Sequence, residues 1–394
     1  MTKPTRTHLS DLRGATRMAF DASTGIVDIV ESMHRTVQRV PGPLGPKPTD
    51  STRGITGLVY RTVRGSMRLI GTGLDRALAP VAELLPAGES TPQRDAYLSV
   101  VNGVYGDYLV RTANPLALEM VLRHRGRQLD VADPAGSLAA AGFPSLTGKI
   151  LVLVHGLCMS DLQWLRNGHD HGEALARELG FTPLYLRYNT GLNIADNGLA
   201  LASLLESLLA AWPVPLEDVV IIGHSMGGLV ARSALHHAVE SGRSWPQQLD
   251  RMVFLGTPHH GALLERGGHG LDFLLELSPY SAPFTRIGGM RSAGIKDLRH
   301  GSIVAGEHRF VQLPAGPKCY SIAALLATGR GSASDRLVGD GLVPFDSALG
   351  RHKDVGRTLA VPPERQWVAR GTGHLDLLGR PEVYRQLHRW LAEK

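Results

Sequence analysis

The feature that most constrains this chain is Gly223-His224-Ser225-Met226-Gly227-Gly228, because it joins an apolar strand to a helix through one sharp turn. Asp218–Ile222 (DVVII) is a run expected to form a buried strand, and the pattern after the turn predicts a helix over Met226–Val239. A Gly-x-Ser-x-Gly turn in that setting lifts a serine hydroxyl above the sheet edge. Gly223 and Gly227 let strand and helix approach where side chains would block them, and Gly228 permits tight packing of the helix start. The helix N-terminus adds partial positive charge beside the hydroxyl. Ser225 is therefore the candidate nucleophile. His224 is expected to pack or hydrogen-bond, since a general base must reach Ser225 from another loop.

From about Gly148 onward, strands and helices alternate. Lys149–Val154 (KILVLV), Thr182–Tyr188, Asp218–Ile222, Arg251–Leu255 (RMVFL), Lys318–Leu325 and Gln366–Ala369 read as strands. Gly172–Leu179, Leu199–Trp212, Met226–Val239 and Pro381–Leu391 read as helices, the last with proline in its first turn. Near-continuous apolar strands between helices imply a mostly parallel sheet covered on both faces. Residues 261–308 break the rhythm with Gly-rich turns and apolar pieces such as Leu271–Leu277, and are a candidate cap or lid. The expected catalytic domain is 146–394.

Residues 1–145 read as a helical N-terminal extension. Ile26, Val30, Met33, Val37 and Val40 form one stripe, ended by Pro41-Gly42-Pro43. Ile55, Val59, Val63, Met67, Ile70 and Leu74 form a second, with Arg61, Arg64 and Arg68 on its opposite face. A third helix is expected from about Pro92 to Leu109. The second stripe fits either a helix docked on the catalytic domain or a basic amphipathic helix on an anionic membrane. Gly65, Gly71 and Gly73 weaken it as a free-standing helix and favour docking.

The net charge is +6, and 17 Lys+Arg against 13 Asp+Glu in residues 1–145 carry a surplus of four. With no basic tract, zinc-finger spacing or aromatic RNA-binding motif, a nucleic-acid partner is not expected. Two cysteines, Cys158 and Cys319, make no disulfide framework. The first twenty residues lack the apolar core of a secretory signal, and no run of about 18 apolar residues spans a membrane. The expected location is cytoplasmic, with peripheral lipid-surface contact through residues 1–145 as the variant.

The nucleophile's helpers can be sought by position. Acyl transfer needs two backbone N–H donors aimed at the developing oxyanion. Met226, the residue after the nucleophile, is one candidate, and Leu157, after Val154-His155-Gly156, is the other. His155 is expected to brace that loop. The base is expected at His374 in Gly371-Thr372-Gly373-His374, on the loop after the last strand. Nine other histidines follow Ser225, among them His259, His260 and His352, without that placement. The acid is expected at Asp340, in Gly339-Asp340-Gly341 after the penultimate strand, with Asp335 and Asp346 as alternatives and Asp354 less favoured. Asp376 is expected to brace the base's loop; calcium wants six to eight oxygens, and no converging set of acids accompanies it. No metal or cofactor is expected.

These pieces resemble a known family. LVLVHG (151–156), GHSMGG (223–228), GTPHHG (256–261), GDGLVP (339–344) and Gly373-His374-Leu375 are together similar to the α/β-hydrolase superfamily, in its branch of bacterial lipases and GPI inositol-deacylase-like proteins. The resemblance covers about 148–391 and implies an α/β-hydrolase fold, an acid at Asp340 and a base at His374. GTPHHG reads as a structural turn at the pocket edge, so His259 and His260 receive no catalytic or zinc role.

The expected activity is hydrolysis of lipid or other hydrophobic carboxylic esters through an acyl-enzyme. The same machinery also serves an acyltransferase, a thioesterase or an intracellular polyester depolymerase. A membrane- or granule-binding scaffold acting through the helical N-terminus is the reading from another class.

Overall fold

The computed structural model describes residues 10–11, 13–21, 62, 65–66, 72, 92–143, 146–262, 292–306, 310–329 and 333–393. The chain divides into two compact units, Met1–Ser90 with Leu109–Leu116, and Thr91–Tyr108 with Ala117–Lys394. In the first, residues 13–21 are helical, and Asn114 donates to the Gly14 carbonyl at 3.1 Å. The stripes at Ile26–Val40 and Ile55–Leu74 lie outside the described residues, apart from helical positions 62, 65, 66 and 72. Most of the 261–308 stretch also lies outside them; its described part holds a helix, Ala293–His300. The third expected helix is present as Pro92–Arg111.

The second unit is built on one eight-stranded sheet: β1 (Val121–His124), β2 (Arg127–Gln128), β3 (Lys149–Val154), β4 (Thr182–Arg187), β5 (Asp218–His224), β6 (Arg251–Leu255), β7 (Lys318–Leu325) and β8 (Gln366–Arg370). Their spatial order is β2-β1-β4-β3-β5-β6-β7-β8. The strands from β4 to β8 run parallel, and β1 joins β4 antiparallel. Helices α1 (His171–Leu179), α2 (Ile194–Ala210), α3 (Met226–Glu240) and α4 (Pro381–Ala392) connect or cover them.

Apolar side chains fill both faces. Ile150 through Val154, Met252 through Leu255 and Ile322 through Leu325 are all buried, as a sheet covered on both sides requires. Leu153, Ile222, Leu255 and Ile322 share one cluster with Leu377, Leu387 and Trp390 from the chain's end. The last loop and α4 are thereby pinned under the sheet.

The hairpin β1–β2 is not expected from the sequence, which reads residues 1–145 as a helical N-terminal extension. Strand β1 is four residues with an arginine and a histidine in it, too short and too polar to show an alternation. It pairs with β4 on one side and with the two-residue edge strand β2 on the other, and Arg125 and Gly126 turn the hairpin with φ of 48° and 77°, as two-residue hairpins demand. Helix α2 begins at Ile194, five residues before the expected Leu199, because the Asp297 carboxylate accepts its first N–H at 2.9 Å.

β4 lies on one side of β3 and β5 on the other, so the chain reverses its direction of travel between them. The crevice outside the carboxyl ends of such a pair is where open α/β sheets bind ligands. No helix among the described residues is long and apolar enough to cross a membrane.

Candidate active site

Ser225 sits at that crevice, between the end of β5 and the first turn of α3. Its φ of 53° and ψ of −125° are costly for a residue with a Cβ. Close packing enforces them. A Cβ on Gly223 would stand 2.5 Å from the Gly228 Cα, and one on Gly227 would stand 2.2 Å from the Val154 carbonyl. Strand, elbow and helix therefore touch backbone to backbone. The Ser225 N–H donates to the Leu255 carbonyl at 2.9 Å, which locks the turn to β6.

Asp340 and His374 meet beside it. The Nδ1 of His374 lies 2.7 Å from Oδ2 of Asp340, and both side chains are buried. The other carboxylate oxygen accepts the N–H groups of Leu342 at 3.0 Å and Val343 at 2.9 Å. The carboxylate therefore has its donors and is held as an acceptor toward His374. A neutral imidazole that donates from Nδ1 keeps its lone pair on Nε2. That Nε2 is buried without a hydrogen-bond partner among the described residues.

Ser225 and His374 border one cavity of about 160 Å³, together with Leu157, Cys158 and Arg166. Leu157 lines that cavity, and both Leu157 and Met226, expected to hold an oxyanion, are buried.

Residues 145–313 match the model of the PGAP1-like alpha/beta domain family. With the sheet order and the elbow, this decides the fold. The chain has the α/β-hydrolase fold. Among solved structures, the mature lipase BlEst2 of Bacillus licheniformis is similar at 21% identity and a TM-score of 0.41, over 62% of this chain and 91% of that one. The esterase of the archaeon Pyrobaculum calidifontis is similar at 13% identity and a TM-score of 0.39, over 62% and 75%. Mouse alpha/beta hydrolase domain-containing protein 10 is similar at 14% identity and a TM-score of 0.37, over 63% and 90%. A comparison with curated proteins returned no match.

The alternative acids lie elsewhere in this fold. Asp346 is half exposed and pairs with Arg336 at 2.7 Å, while Asp354 caps a surface turn at Gly356. The Asp335 side chain lies outside the described ones. Asp376 accepts the Gly373 N–H at 3.1 Å, so it braces the loop of His374. In GTPHHG, His259 meets buried Arg232 at 3.1 Å, and His260 meets the Gly350 carbonyl at 3.2 Å. Both stitch the β6 turn to neighbouring segments. Among the described residues no cluster of three or more His, Cys, Asp or Glu side chains is arranged to hold a metal.

Three buried histidines, His155, His171 and His224, are kept neutral by burial. His155 stacks on Tyr188 with ring centres 4.5 Å apart, and burial pulls it down to about 4. His171 reaches the Leu377 carbonyl at 2.9 Å and is likewise pulled down to about 4. His224 has a role the sequence left open: its Nε2 lies 3.1 Å from the His374 carbonyl. Burial, and then the positive charge that His374 can carry, hold His224 well below the ordinary histidine range.

Proposed function

We propose that this α/β-hydrolase cleaves carboxylic esters of hydrophobic compounds through a Ser225–His374–Asp340 triad. The observation that carries the reading is the buried 2.7 Å contact of Asp340 with His374, which lines one cavity with Ser225. The Ser225 Oγ attacks the ester carbonyl carbon while its proton passes to His374 Nε2. Asp340 holds the ring in the tautomer that leaves Nε2 free and stabilises the imidazolium. The carbonyl oxygen, now an oxyanion, is held by the Leu157 and Met226 N–H groups. Collapse of the tetrahedral intermediate breaks the bond to the alkoxide, which takes the proton from His374 and departs as the alcohol. Water, deprotonated by the same nitrogen, then attacks the acyl-Ser225 ester, releases the acid and restores the serine.

Stopped-flow hydrolysis of a p-nitrophenyl ester tests this. A burst of p-nitrophenol approaching one equivalent per chain is expected, followed by slower turnover. The burst should vanish in Ser225→Ala, with kcat down by about 10⁴ or more. Full activity of Ser225→Ala on both short and long esters would overturn the reading.

A further inference from the structure

The cavity beside Ser225 is small for the work proposed for it. Ligand pockets ordinarily enclose about 300–1,000 Å³, and this one encloses about 160 Å³. A second cavity, of about 410 Å³, lies next to it. Leu162 and Leu165 line both. They belong to the turn after β3, where residues Asp161–Trp164 form a short 3-10 helix. Leu165 is 63% exposed, an unusual place for a large apolar side chain at the lip of a catalytic cavity. A chain lying across it would remove that surface from water.

The walls of the second cavity say what the chain is. Pro92, Leu162, Leu165 and Tyr185 are its apolar part, and Asp161, Asp170, Glu173 and Arg125 its charged part. Each of those charged side chains already has a partner in the protein. Asp161 pairs with Arg123 at 2.8 Å, and Glu173 with Arg125 at 3.1 Å. Asp170 accepts the Tyr185 hydroxyl at 2.7 Å and the Glu173 N–H at 3.1 Å. A charged head entering there would find no free partner, and an anionic one would face three carboxylates. Burial pushes the Asp161 and Asp170 carboxyls up, as expected of groups walled by apolar surface.

We propose that the second cavity is a substrate subsite, which takes an uncharged apolar chain of the ester across Leu162 and Leu165. This deepens the ester-hydrolase reading and rests on it. The chain belongs to either the acyl or the alcohol half of the ester, and the two arms of the test separate these. Leu165 sets the passage between the cavities.

The test uses the full chain with Leu165→Trp, which fills the passage, and Leu165→Asp, which charges it; at an exposed position neither disturbs the core. One arm follows kcat/KM for p-nitrophenyl acetate, butyrate, octanoate and laurate. The other follows acetate esters of ethanol, butanol and octanol. In the arm whose chain crosses Leu165, the octyl-to-ethyl-length ratio falls at least tenfold in both variants. If the acyl chain crosses, wild type hydrolyses the p-nitrophenyl monoester of suberic acid at least tenfold more slowly than the octanoate; if the alcohol chain crosses, it hydrolyses the acetate ester of 8-hydroxyoctanoic acid at least tenfold more slowly than octyl acetate. Ratios within twofold of wild type in both arms overturn the subsite, and equal rates for the charged and uncharged chains in the responding arm overturn its preference for an uncharged chain. If wild type hydrolyses no ester, the ester-hydrolase reading fails by itself. Labelling rates with ethyl and dodecyl fluorophosphonates then judge the subsite on the same ratio.

Discussion

The Nε2 of His224 lies 3.1 Å from the backbone carbonyl of His374, across 150 residues of sequence. The residue that precedes Ser225 thus fixes the loop of His374, and the two rings stand 4.7 Å apart. Because the ring donates from Nε2 and stays neutral, it braces His374 without competing with it for the serine proton. His224→Ala is expected to lower kcat five- to tenfold, since one neutral hydrogen bond contributes about 1 kcal/mol. KM should move little. His224→Gln, which retains a donor, should recover part of the loss; an unchanged kcat in the alanine variant would show that the brace is idle.

Asp340 gives a larger effect. In Asp340→Asn the amide can keep an oxygen toward the Leu342 and Val343 N–H groups only by turning its NH₂ toward His374. The ring is then driven into the tautomer protonated on Nε2, and kcat is expected to fall about 10⁴-fold. Near-normal thermal stability would separate this from unfolding. Steady-state kinetics on a p-nitrophenyl ester reads it directly.

How much of this was legible in the sequence depends on how local each signal is. The elbow was, because an apolar strand, two glycines and a helix start all lie within a dozen residues. The placement of Asp340 and His374 followed from strand ends, which apolar runs mark clearly. The His224 brace was not, since its partner lies 150 residues away and its residue type says nothing of direction. Nor was the first turn of α2. IADNG (194–198) is polar and contains a glycine, and it is helical because the Asp297 carboxylate accepts the Ile194 N–H and Gly198 packs where a Cβ would stand 2.1 Å from the Ser233 hydroxyl. Tertiary packing overrides propensity there. The subsite behind Leu165 is likewise a matter of cavities, which a linear pattern does not carry.

Gly256 tests how tightly the Asp340–His374 pair is enclosed. Its φ is 56°, and a Cβ there would stand 2.8 Å from Leu377 Cδ1 and 3.2 Å from both Asp340 Oδ2 and His374 Cε1. Gly256→Ala is expected to destabilise the fold by about 1–3 kcal/mol and to lower kcat at temperatures where the variant remains folded. Thermal unfolding and kinetics on the same sample check both parts. A variant as stable and active as wild type would mean that the pair is loosely packed.

Acidification should destabilise the protein before the carboxylates titrate. His155 and His171 have folded-state values of about 4 against an ordinary 6.5. Between these limits the unfolded chain binds more protons, so stability falls as pH drops through that window and levels off below it. Each group contributes up to about 1.4 kcal/mol per pH unit there. Asp161, Asp170 and Asp218, whose carboxyls burial raises, oppose the trend toward the lower end. Urea midpoints at pH 7 and pH 5 measure the balance, and an equal or higher midpoint at pH 5 would contradict it.

The most direct test of the central claim is covalent labelling with a fluorophosphonate, followed by peptide mass spectrometry. The account predicts a single adduct on the peptide carrying Ser225, at one equivalent per chain, lost in Ser225→Ala and slowed in Asp340→Asn. An adduct on another residue, or labelling undiminished in Ser225→Ala, would contradict it.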